Sequence, residues 1–299
     1  MFEYRNIEAF AMVILQGGFE KAARHLHVTQ SAVSQRVRLL EEQCGQVLLR
    51  RSTPPEPTEA GLPLLHHYRK VRQLEDDLRL FDPQGGDEGY STIAIAVNAD
   101  TLATWLTGAV DALLHRHRIV LDLQVDDQDA THDLMRAGHV WGCISTRAEP
   151  LQGCGAELLG RVRYAMFATA PFQERWFPEG LTAERLAVAP MARYNRKDDL
   201  NARIFHTIGL IPTKTPPTFY LPSTEIYGQF VAAGRCWGIL PEQQSGPLHN
   251  VGKIVNLSPQ HWVDVVLYWH SWNLKSELMQ EFSRDFLLAA RARLRPWSG

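Results

Sequence analysis

The sequence lacks the features that mark disulfide frameworks, metal sites and membrane spans. The chain has 299 residues and only four cysteines, which are scattered without a CxxC pair or a His/Cys cluster at metal-ligand spacing. No run of about eighteen apolar residues occurs, and residues 1–10 show no basic leader followed by an apolar core. We therefore expect reduced thiols, no resident metal or other cofactor, no membrane insertion and a cytoplasmic location. The cysteines are Cys44, Cys143, Cys154 and Cys236.

Signatures of catalysis are also missing. The sequence has no GxSxG nucleophile elbow, no glycine-rich phosphate loop with a lysine and no HExxH pair, and its twelve histidines are dispersed. Trp269 and His270 lie side by side after a predicted strand, where such a pair is more often half-buried structure than an active site. These absences argue against an enzyme.

Length, composition and charge leave room for two domains, one of them basic. A chain of 299 residues with 45% hydrophobic content can bury more than one core. Its net charge is −2, yet residues 21–51 hold six Lys/Arg against two acids. Positive charge concentrated at one end favours nucleic-acid binding through a small footprint.

Residues 17–45 predict a helix, a tight turn and a second helix. Apolar side chains recur at helical spacing from Phe19 onward, His27 and Val28 make the turn, and the next residue is a good N-cap. The outer face of the second helix is polar and cationic, which suits base edges and phosphates in a major groove; an ordinary solvated helix pair is the alternative. The predicted DNA contacts here are Thr29, Gln30, Ser31, Ser34, Gln35, Arg36 and Arg38.

The proline-rich segment that follows predicts a wing. Prolines keep the chain out of helix and suit a hairpin beside the recognition helix. We expect Arg50, Arg51 and Pro55 to contact DNA there, with the two arginines gripping backbone phosphates. Thr58 then caps a new helix, with Glu59 in its first turn.

The long helix after Thr58 predicts a partner helix. Apolar residues recur with a seven-residue period, which favours dimerisation, although a single helix of this length could instead pack on its own domain. Pro63 should kink the helix or delay its regular start, because proline lacks an N–H. The predicted dimerisation residues are Leu64, Val71, Leu74, Leu78 and Phe81.

These features, in this order, resemble those of the LysR-type transcriptional regulators. The resemblance rests on GGFEKAARHLHVTQSAVSQRVRLLEE, then an LLRR wing, then PTEAG at the opening of a linker helix. Five stretches are similar, more narrowly, to the family's regulators of arginine and lysine export: VTQSAVSQRVRLLE, RRSTPPEPTEAG, VNADTLATWL, LQVDDQ and VVLYWH. The resemblance implies binding of double-stranded promoter DNA by a homodimer or a tetramer, and it leaves contact with RNA polymerase open.

The remainder of the chain predicts an α/β domain. Asp82–Gly89 ends the long helix with proline, glycines and acids, and β-branched strands then alternate with helical patterns, which indicates βαβ units carrying a parallel sheet. The predicted elements in chain order are Ser91–Val97, Leu102–Leu114, Ile119–Val125, Ala130–Ala137, Val140–Ser145, Val162–Thr169, Leu186–Ala192, Pro217–Leu221, Cys236–Leu240, Asp264–Tyr268 and Glu277–Leu294.

The predicted domain organisation has three parts. A winged helix-turn-helix covers 1–58, a linker helix and hinge cover 59–88, and an α/β effector-binding domain covers 89–299. The family resemblance implies that this last part has two subdomains of periplasmic-binding-protein type. Subdomain I then covers about 89–162 and 267–299, subdomain II covers about 163–266, and the chain crosses between them near residues 163 and 266.

Polar residues follow the predicted strands at the crevice of this domain. Ligands of such folds bind where strand ends and helix N-termini converge. The predicted effector-binding residues are Asn98, Ala99, Asp100, Thr101, Asp126, Asp127, Ser145, Tyr194, Ser223, Thr224, Glu225 and His270. The acids in this set, with Asp198 and Asp199, create a negative field that suits a guanidinium or an ammonium group. The alternative is that they are helix caps and solvated loop residues, above all Asp198 and Asp199.

The ligand predicted for this crevice is lysine or arginine. Asp126 or Asp127 is our first choice for the side-chain partner, and the helix ends at Thr101 and Thr224 are our choice for the α-carboxylate. We therefore expect a LysR-type regulator of genes for basic amino-acid export or metabolism. The alternatives are a regulator with another small-molecule effector, a soluble amino-acid-binding or transport protein with the same two-lobed domain, and a small-molecule enzyme.

Overall fold

The computed structural model describes residues 2–80, 90–126, 130–273 and 276–297. The chain divides into two compact units. The first consists of Met1–Ser91, Asp133–Trp141 and Leu274–Glu281, and the second of Thr92–His132, Gly142–Asn273 and Phe282–Gly299. Phe81, Asp127 and the predicted hinge at 82–89 lie outside the described residues.

A winged helix forms the N-terminal part of the first unit. Its elements are α1 (Tyr4–Leu15), α2 (Phe19–His25), α3 (Gln30–Cys44), β1 (Leu49–Arg50), β2 (Glu56–Pro57) and α4 (Leu62–Leu80). Phe10, Leu40 and Leu65, from α1, α3 and α4, are fully buried in one core. The predicted order of elements, a helix, a turn, a second helix and a wing, is confirmed.

Local chemistry sets the boundaries of these elements. The Thr29 hydroxyl accepts a hydrogen bond from the backbone N–H of Ala32 (3.2 Å), which is the predicted N-cap of α3. His27 adopts a left-handed conformation with a φ of 54°, so the turn between α2 and α3 is tight. The wing strands pair antiparallel, and Arg50 lies opposite Glu56.

Helix α4 begins at Leu62, so Glu59 does not lie in its first turn as predicted. Thr58 still makes the predicted capping contacts in a turn ahead of the helix: its hydroxyl accepts from the backbone N–H of Gly61 (3.1 Å) and its carbonyl from that of Leu62 (3.0 Å). Pro63 consequently lies in the first turn of α4, where a missing N–H costs no helical hydrogen bond. The expected delay in the helix start is confirmed.

The predicted dimerisation residues of α4, called the seam below, lie in two different environments. Leu64 packs against the winged-helix core, so the first seam residue contacts its own domain. Val71 is half-buried, whereas Leu74 is 41% exposed and leaves an apolar side chain at the surface. The side chain of Leu78 lies outside the described part of the chain.

The α/β part of the chain contains nine described strands. They are β3 (Ser91–Val97), β4 (Ile119–Val125), β5 (Gly142–Ser145), β6 (Cys154–Ala168), β7 (Met191–Arg193), β8 (Thr218–Tyr220), β9 (Gly238–Pro241), β10 (Val255–Asn256) and β11 (Val263–Trp272). Seven of them form a sheet in the order β10-β6-β11-β5-β3-β4, with β9 also paired to β6. Strands β7 and β8 form a separate parallel pair.

Helices follow or precede these strands as the βαβ pattern predicts. They are α5 (Ala99–Thr101), α6 (Thr107–Arg116), α7 (Ala130–Arg136), α8 (Ala170–Trp176), α9 (Ala183–Leu186), α10 (Leu200–Ile208), α11 (Thr224–Ala232), α12 (Glu242–Asn250) and α13 (Glu277–Arg291). A π-helical turn, Leu102–Leu106, joins α5 to α6. Helices α8, α9 and α12 are additional to the predicted elements.

The large sheet is mixed, although the sequence pattern predicted a parallel one. Strand β3 runs parallel to β5, but β11 runs antiparallel to both β5 and β6. Strand β6 is one continuous strand of 15 residues that begins before the predicted start at Val162, and β11 continues past Tyr268 to Trp272. The direction of a strand depends on where the chain returns to the sheet, which residue alternation does not encode.

An aromatic cluster packs α13 against β11. The ring centroid of Phe286 lies 4.8 Å from that of Trp269 and 5.9 Å from that of Phe282, and all three residues are buried. Trp105 stacks on Phe286 at 6.2 Å, and the Trp269 indole N–H donates to the Ser283 hydroxyl (2.7 Å). Large buried rings dominate core energetics, so this cluster anchors the C-terminal helix.

We predict that Phe286→Ala destabilises the second unit by about 3–5 kcal/mol, because removal of a fully buried ring leaves a cavity. Leu288→Ala is the matched control on the same helix: Leu288 is 63% exposed, and its loss should change stability by no more than about 0.5 kcal/mol. Urea unfolding followed by tryptophan fluorescence measures both variants. Equal unfolding midpoints would contradict this assignment of the core.

Candidate functional site

The first candidate site is the outer face of α3 with the wing. Val33, Val37 and Leu40 turn the opposite face of α3 into the core, which fixes the polar face outward. Among the predicted contacts, the exposed residues are Thr29, Gln30, Ser31, Ser34, Gln35, Arg38, Arg50 and Arg51, and the half-buried ones are Arg36 and Pro55. Arg38 also pairs with Glu42 (2.9 Å) in an exposed ion pair. Such a pair is worth little and leaves the guanidinium available to another anion.

The second candidate site surrounds Asp100 at the start of α5. Its Oδ2 accepts a hydrogen bond from the Tyr164 hydroxyl (2.8 Å), and its Oδ1 accepts one from the Thr224 hydroxyl (2.8 Å). Residues from α5, β6 and α11 therefore meet at one carboxylate. Asn98 caps α5 by accepting from the N–H of Thr101 (2.9 Å). The sequence predicted that this N–H would be free to bind the α-carboxylate of a ligand, but the Asn98 side chain already occupies it.

Asp100 is partly buried, and its hydrogen bonds come from neutral groups. Burial raises the pKa of Asp100, the hydrogen bonds from Thr224 and Tyr164 oppose the rise, and the charge of Asp198 adds to it. In the part of the chain that the structure describes, no lysine or arginine forms an ion pair with this carboxylate. Removing a carboxylate from water without a cationic partner costs free energy, so the site favours a positively charged ligand.

Tyr164 is suited to donate rather than accept at this site. Burial and the neighbouring charge of Asp100 raise the pKa of Tyr164 well above its ordinary value. The phenol therefore keeps its proton, and its hydroxyl serves as a donor to the carboxylate. Thr224, at the first turn of α11, supplies the second donor, and its carbonyl accepts from Gln244 Nε2 (2.7 Å).

Other predicted crevice residues lie at the surface or in caps. Asp126 and Glu225 are exposed, and the backbone N–H of Asp126 donates to the carbonyl of Val97 (3.2 Å). Ser223 is the N-cap of α11 and accepts from a backbone N–H of the first turn (3.4 Å). Ala99 is half-buried beside Asp100. Asp126, our first choice for the cation partner, thus keeps its side chain at the surface.

The acids before α10 serve mainly as loop and cap residues. The Asp198 carboxylate accepts from the backbone N–H groups of Tyr194 (3.2 Å) and Leu200 (3.0 Å). Asp199 occupies the N-cap position of α10 without a side-chain cap bond. This is the alternative use that the sequence had favoured for this pair, although the charge of Asp198 still acts on Asp100.

Ser145 and His270 belong to a separate buried cluster. His270 Nε2 lies 2.8 Å from the carbonyl oxygen of Arg147, and the Ser145 hydroxyl accepts from the Arg147 N–H (3.2 Å). The His270 ring also packs edge-on against His132, with 4.9 Å between ring centroids. Both predicted residues are fully buried, and burial lowers the pKa of His270. Ser145 Oγ and His270 Nε2 thus hold the loop after β5.

Comparison with known proteins identifies the family of both parts of the chain. Residues 4–62 match the bacterial regulatory helix-turn-helix protein of the lysR family, and residues 86–291 match the LysR substrate binding domain. The chain belongs to the LysR family of transcriptional regulators. A relative named HTH-type transcriptional regulator ArgP, from Pseudomonas aeruginosa (strain UCBPP-PA14), is 41% identical over 97% of this chain and 96% of its own. Another of that name, from Aeromonas salmonicida, is 38% identical over 98% of each.

Solved structures extend the likeness to the whole fold. The crystal structure of ArgP from Mycobacterium tuberculosis matches with a TM-score of 0.87 and 35% identity over 98% of both chains. Full-length LysG from Corynebacterium glutamicum with bound effector Arg matches with a TM-score of 0.80 and 30% identity, over 98% of this chain and 100% of that one. The predicted fold class, a winged helix-turn-helix followed by an α/β effector-binding domain, is confirmed. The relatives are named as regulators, in agreement with the expectation of a non-enzyme.

Tyr164 is the residue of the Asp100 site that sequence reasoning missed. It lies in a run of apolar residues predicted as a strand, where a tyrosine is usually part of the core. The one available signal was that a buried tyrosine hydroxyl requires a hydrogen-bond partner, and the candidate acids at the crevice supply acceptors.

Within 2–80, 90–126, 130–273 and 276–297, no three His, Cys, Asp or Glu side chains are grouped so as to hold a metal ion. Across the same residues, no helix combines the length and the apolar character needed to cross a membrane.

Proposed function

We propose that this LysR-family regulator binds double-stranded promoter DNA as a homodimer or tetramer and responds to lysine or arginine, controlling genes for the export or metabolism of basic amino acids. The winged helix-turn-helix at 1–58 contacts DNA, and the linker at 59–88 joins two copies. The domain at 89–299, with subdomain II at about 163–266, receives the effector.

The observation that carries the effector assignment is the Asp100 carboxylate. Both of its oxygens accept hydrogen bonds from hydroxyl groups, so the carboxylate is oriented while its charge is not neutralised. A carboxylate has about four acceptor positions, which leaves room for an ammonium or guanidinium donor beside the two hydroxyls. Charge-assisted hydrogen bonds of this kind are the strong ones, and a neutral amino-acid side chain cannot form them.

The relatives support the same ligand class. The LysG structure described above carries bound Arg as its effector, and it aligns with nearly the whole of this chain. The helix end at Thr224 remains our choice for the α-carboxylate of the ligand, because α11 starts beside Asp100 and its N-terminus carries partial positive charge.

Asp100→Asn tests the effector assignment. The variant should bind lysine and arginine about 2–5 kcal/mol more weakly, because it removes the anion that pairs with the cation. Asp126→Asn is the matched control: it removes an exposed acid from the same region and should keep the affinity of the parent. Isothermal titration calorimetry of the full-length proteins measures both.

Three results would contradict the assignment in distinct ways. A parent that binds neither lysine nor arginine points to a different effector. An equal loss of affinity in the two variants means that the negative field of the region binds the ligand and not Asp100 specifically. A loss of affinity in Asp126→Asn alone means that Asp126, the surface acid that the sequence favoured, pairs with the cation.

Substitutions in the wing and in the recognition helix α3 should affect DNA binding in different ways. Arg51→Ala should weaken binding to every sequence and flatten the salt dependence by about one unit of slope, because a wing arginine meets the phosphate backbone. Gln30→Ala, on the reading helix, should instead change the preference among half-sites by about 1–3 kcal/mol. Competition between promoter and random DNA at several salt concentrations separates the two effects. If both variants lower the affinities for promoter DNA and for random DNA by the same factor, this assignment of DNA contacts is wrong.

The exposed apolar side of α4 should mediate assembly. Leu74→Glu should weaken the dimer, because two copies of the charge would be buried close to each other across a two-fold axis. Leu288→Glu, which also replaces an exposed leucine, is the matched control and should leave the dimer intact. Analytical ultracentrifugation gives the dissociation constants. An unchanged dimer in Leu74→Glu would rule out this seam.

A further inference from the structure

The direction of the Asp100 carboxylate depends on two hydroxyl groups from other elements. Tyr164 on β6 and Thr224 on α11 each lie 2.8 Å from a different carboxylate oxygen. Each hydroxyl fixes one oxygen, so together they set the plane of the carboxylate. The plane of a carboxylate decides where a ligand N–H can donate to it.

Tyr164 is fixed on both edges of its strand. Its register partners are Val263 on β11 and Pro241 on β9, and the residue is only 2% exposed. A buried ring on a doubly paired strand has little freedom to follow Asp100 if the carboxylate moves. The Tyr164 hydroxyl is therefore a fixed reference point for the acid.

Thr224 is fixed through its own backbone. The side chain of Gln244 reaches over α11 and donates to the Thr224 carbonyl (2.7 Å). A Cβ at Gly228 would lie 2.4 Å from Gln244 Nε2, so the glycine leaves room for this position of the Gln244 side chain. The backbone that carries the second hydroxyl is therefore also held by a neighbouring element.

The charged and titratable groups around this acid are few. Asp198, in the loop before α10, raises the pKa of Asp100, and Arg203 on α10 lowers that of Tyr164. Tyr227, on α11, is a second buried phenol nearby, and Asp100 contributes to raising its pKa. Among the described residues, the two hydroxyl donors are thus the groups that favour the ionised form of Asp100.

We propose that Tyr164 is a positioning and specificity-determining residue for the effector, and that with Thr224 it holds the Asp100 carboxylate ionised and oriented toward the cationic group of the ligand. This inference rests on the proposed function, in which the ligand is lysine or arginine. Loss of either hydroxyl raises the pKa of Asp100, because the charged form loses a donor. The ionised acid binds the cation, so affinity is full above that pKa and is lost as the pH falls through it.

The first test measures arginine and lysine affinity of the full-length protein by calorimetry over a series of pH values. Tyr164→Phe should bind roughly 10-fold more weakly, as expected for loss of a hydrogen bond to a charged group, and its pH midpoint should move upward. Thr224→Val should shift the midpoint in the same direction, and Thr224→Ser, which restores the hydroxyl, should return it to the parent value.

Tyr227→Phe is the matched control for the loss of a buried phenol. The Tyr227 hydroxyl donates to the carbonyl of Ala192 (3.0 Å) and accepts from the N–H of Ile239 (3.0 Å), so its bonds go to the backbone. Its removal should lower stability without moving the pH midpoint of ligand binding. The control therefore separates a role in orienting Asp100 from a purely structural role.

The second test measures charge discrimination. Citrulline lacks the cationic side chain of arginine, and Nα-acetylarginine lacks the α-ammonium group. Nα-acetylarginine keeps the guanidinium group and is the control. The parent should reject citrulline, because in the proposed function the side-chain cation pairs with Asp100. Tyr164→Phe should narrow the ratio of affinities for arginine and that analogue, and Tyr227→Phe should leave it unchanged.

The outcomes distinguish this inference from the proposed function. The inference alone is overturned if the parent binds arginine and both Tyr164→Phe and Thr224→Val keep the parent's pH midpoint and its ratio of affinities for arginine and the uncharged analogue. The same holds if Tyr227→Phe shifts both quantities as much as Tyr164→Phe does. A parent that binds neither basic amino acid at any pH overturns the proposed function and the inference together.

Discussion

Strands β6 and β11 pair antiparallel from Val263 opposite Tyr164 to Trp272 opposite Cys154. Strand β11 also pairs with β5, and the C-terminal half of β6 pairs with β9 and β10, so these two strands connect both ends of the seven-stranded sheet. The pairing places the Tyr164 hydroxyl beside an acid that comes from the other end of the sheet. It also carries Trp269 onto the aromatic cluster of α13. The site and the core of this domain therefore depend on one pair of strands.

Within the part of the chain that the structure describes, no cation pairs with the partly buried Asp100 carboxylate, and this costs stability. Desolvation of the charge costs more than two hydroxyl donors return, which is why burial raises the pKa of Asp100. In the proposed function, a basic ligand supplies the missing charge and would gain more at Asp100 than at a solvated acid such as Asp126. The cost of burying the charge would then give both affinity and selectivity for a cation, whereas apolar side chains packed at this position would give neither.

Features with local causes were predictable from the sequence. The N-cap at Thr29, the turn at His27 and the strand bounds of β3 and β4 depend on neighbouring residues, and the structure has them as predicted. Features that depend on residues far apart in the chain were not predictable. The direction of β11 and the partnership of Asp100 with Tyr164 join residues far apart in the chain, so neither leaves a periodic signal.

The sequence could not rank the crevice acids by burial for the same reason. Asp126 follows a strand as regularly as Asp100 does, and the sequence pattern treats the two alike. What separates them is how much water reaches each carboxylate, which is set by whether another element covers it. Strand β6 and helix α11 cover Asp100, whereas Asp126 stays exposed. Burial of a charged group is thus a property of the assembled domain, and a binding acid can be chosen only after the fold is known.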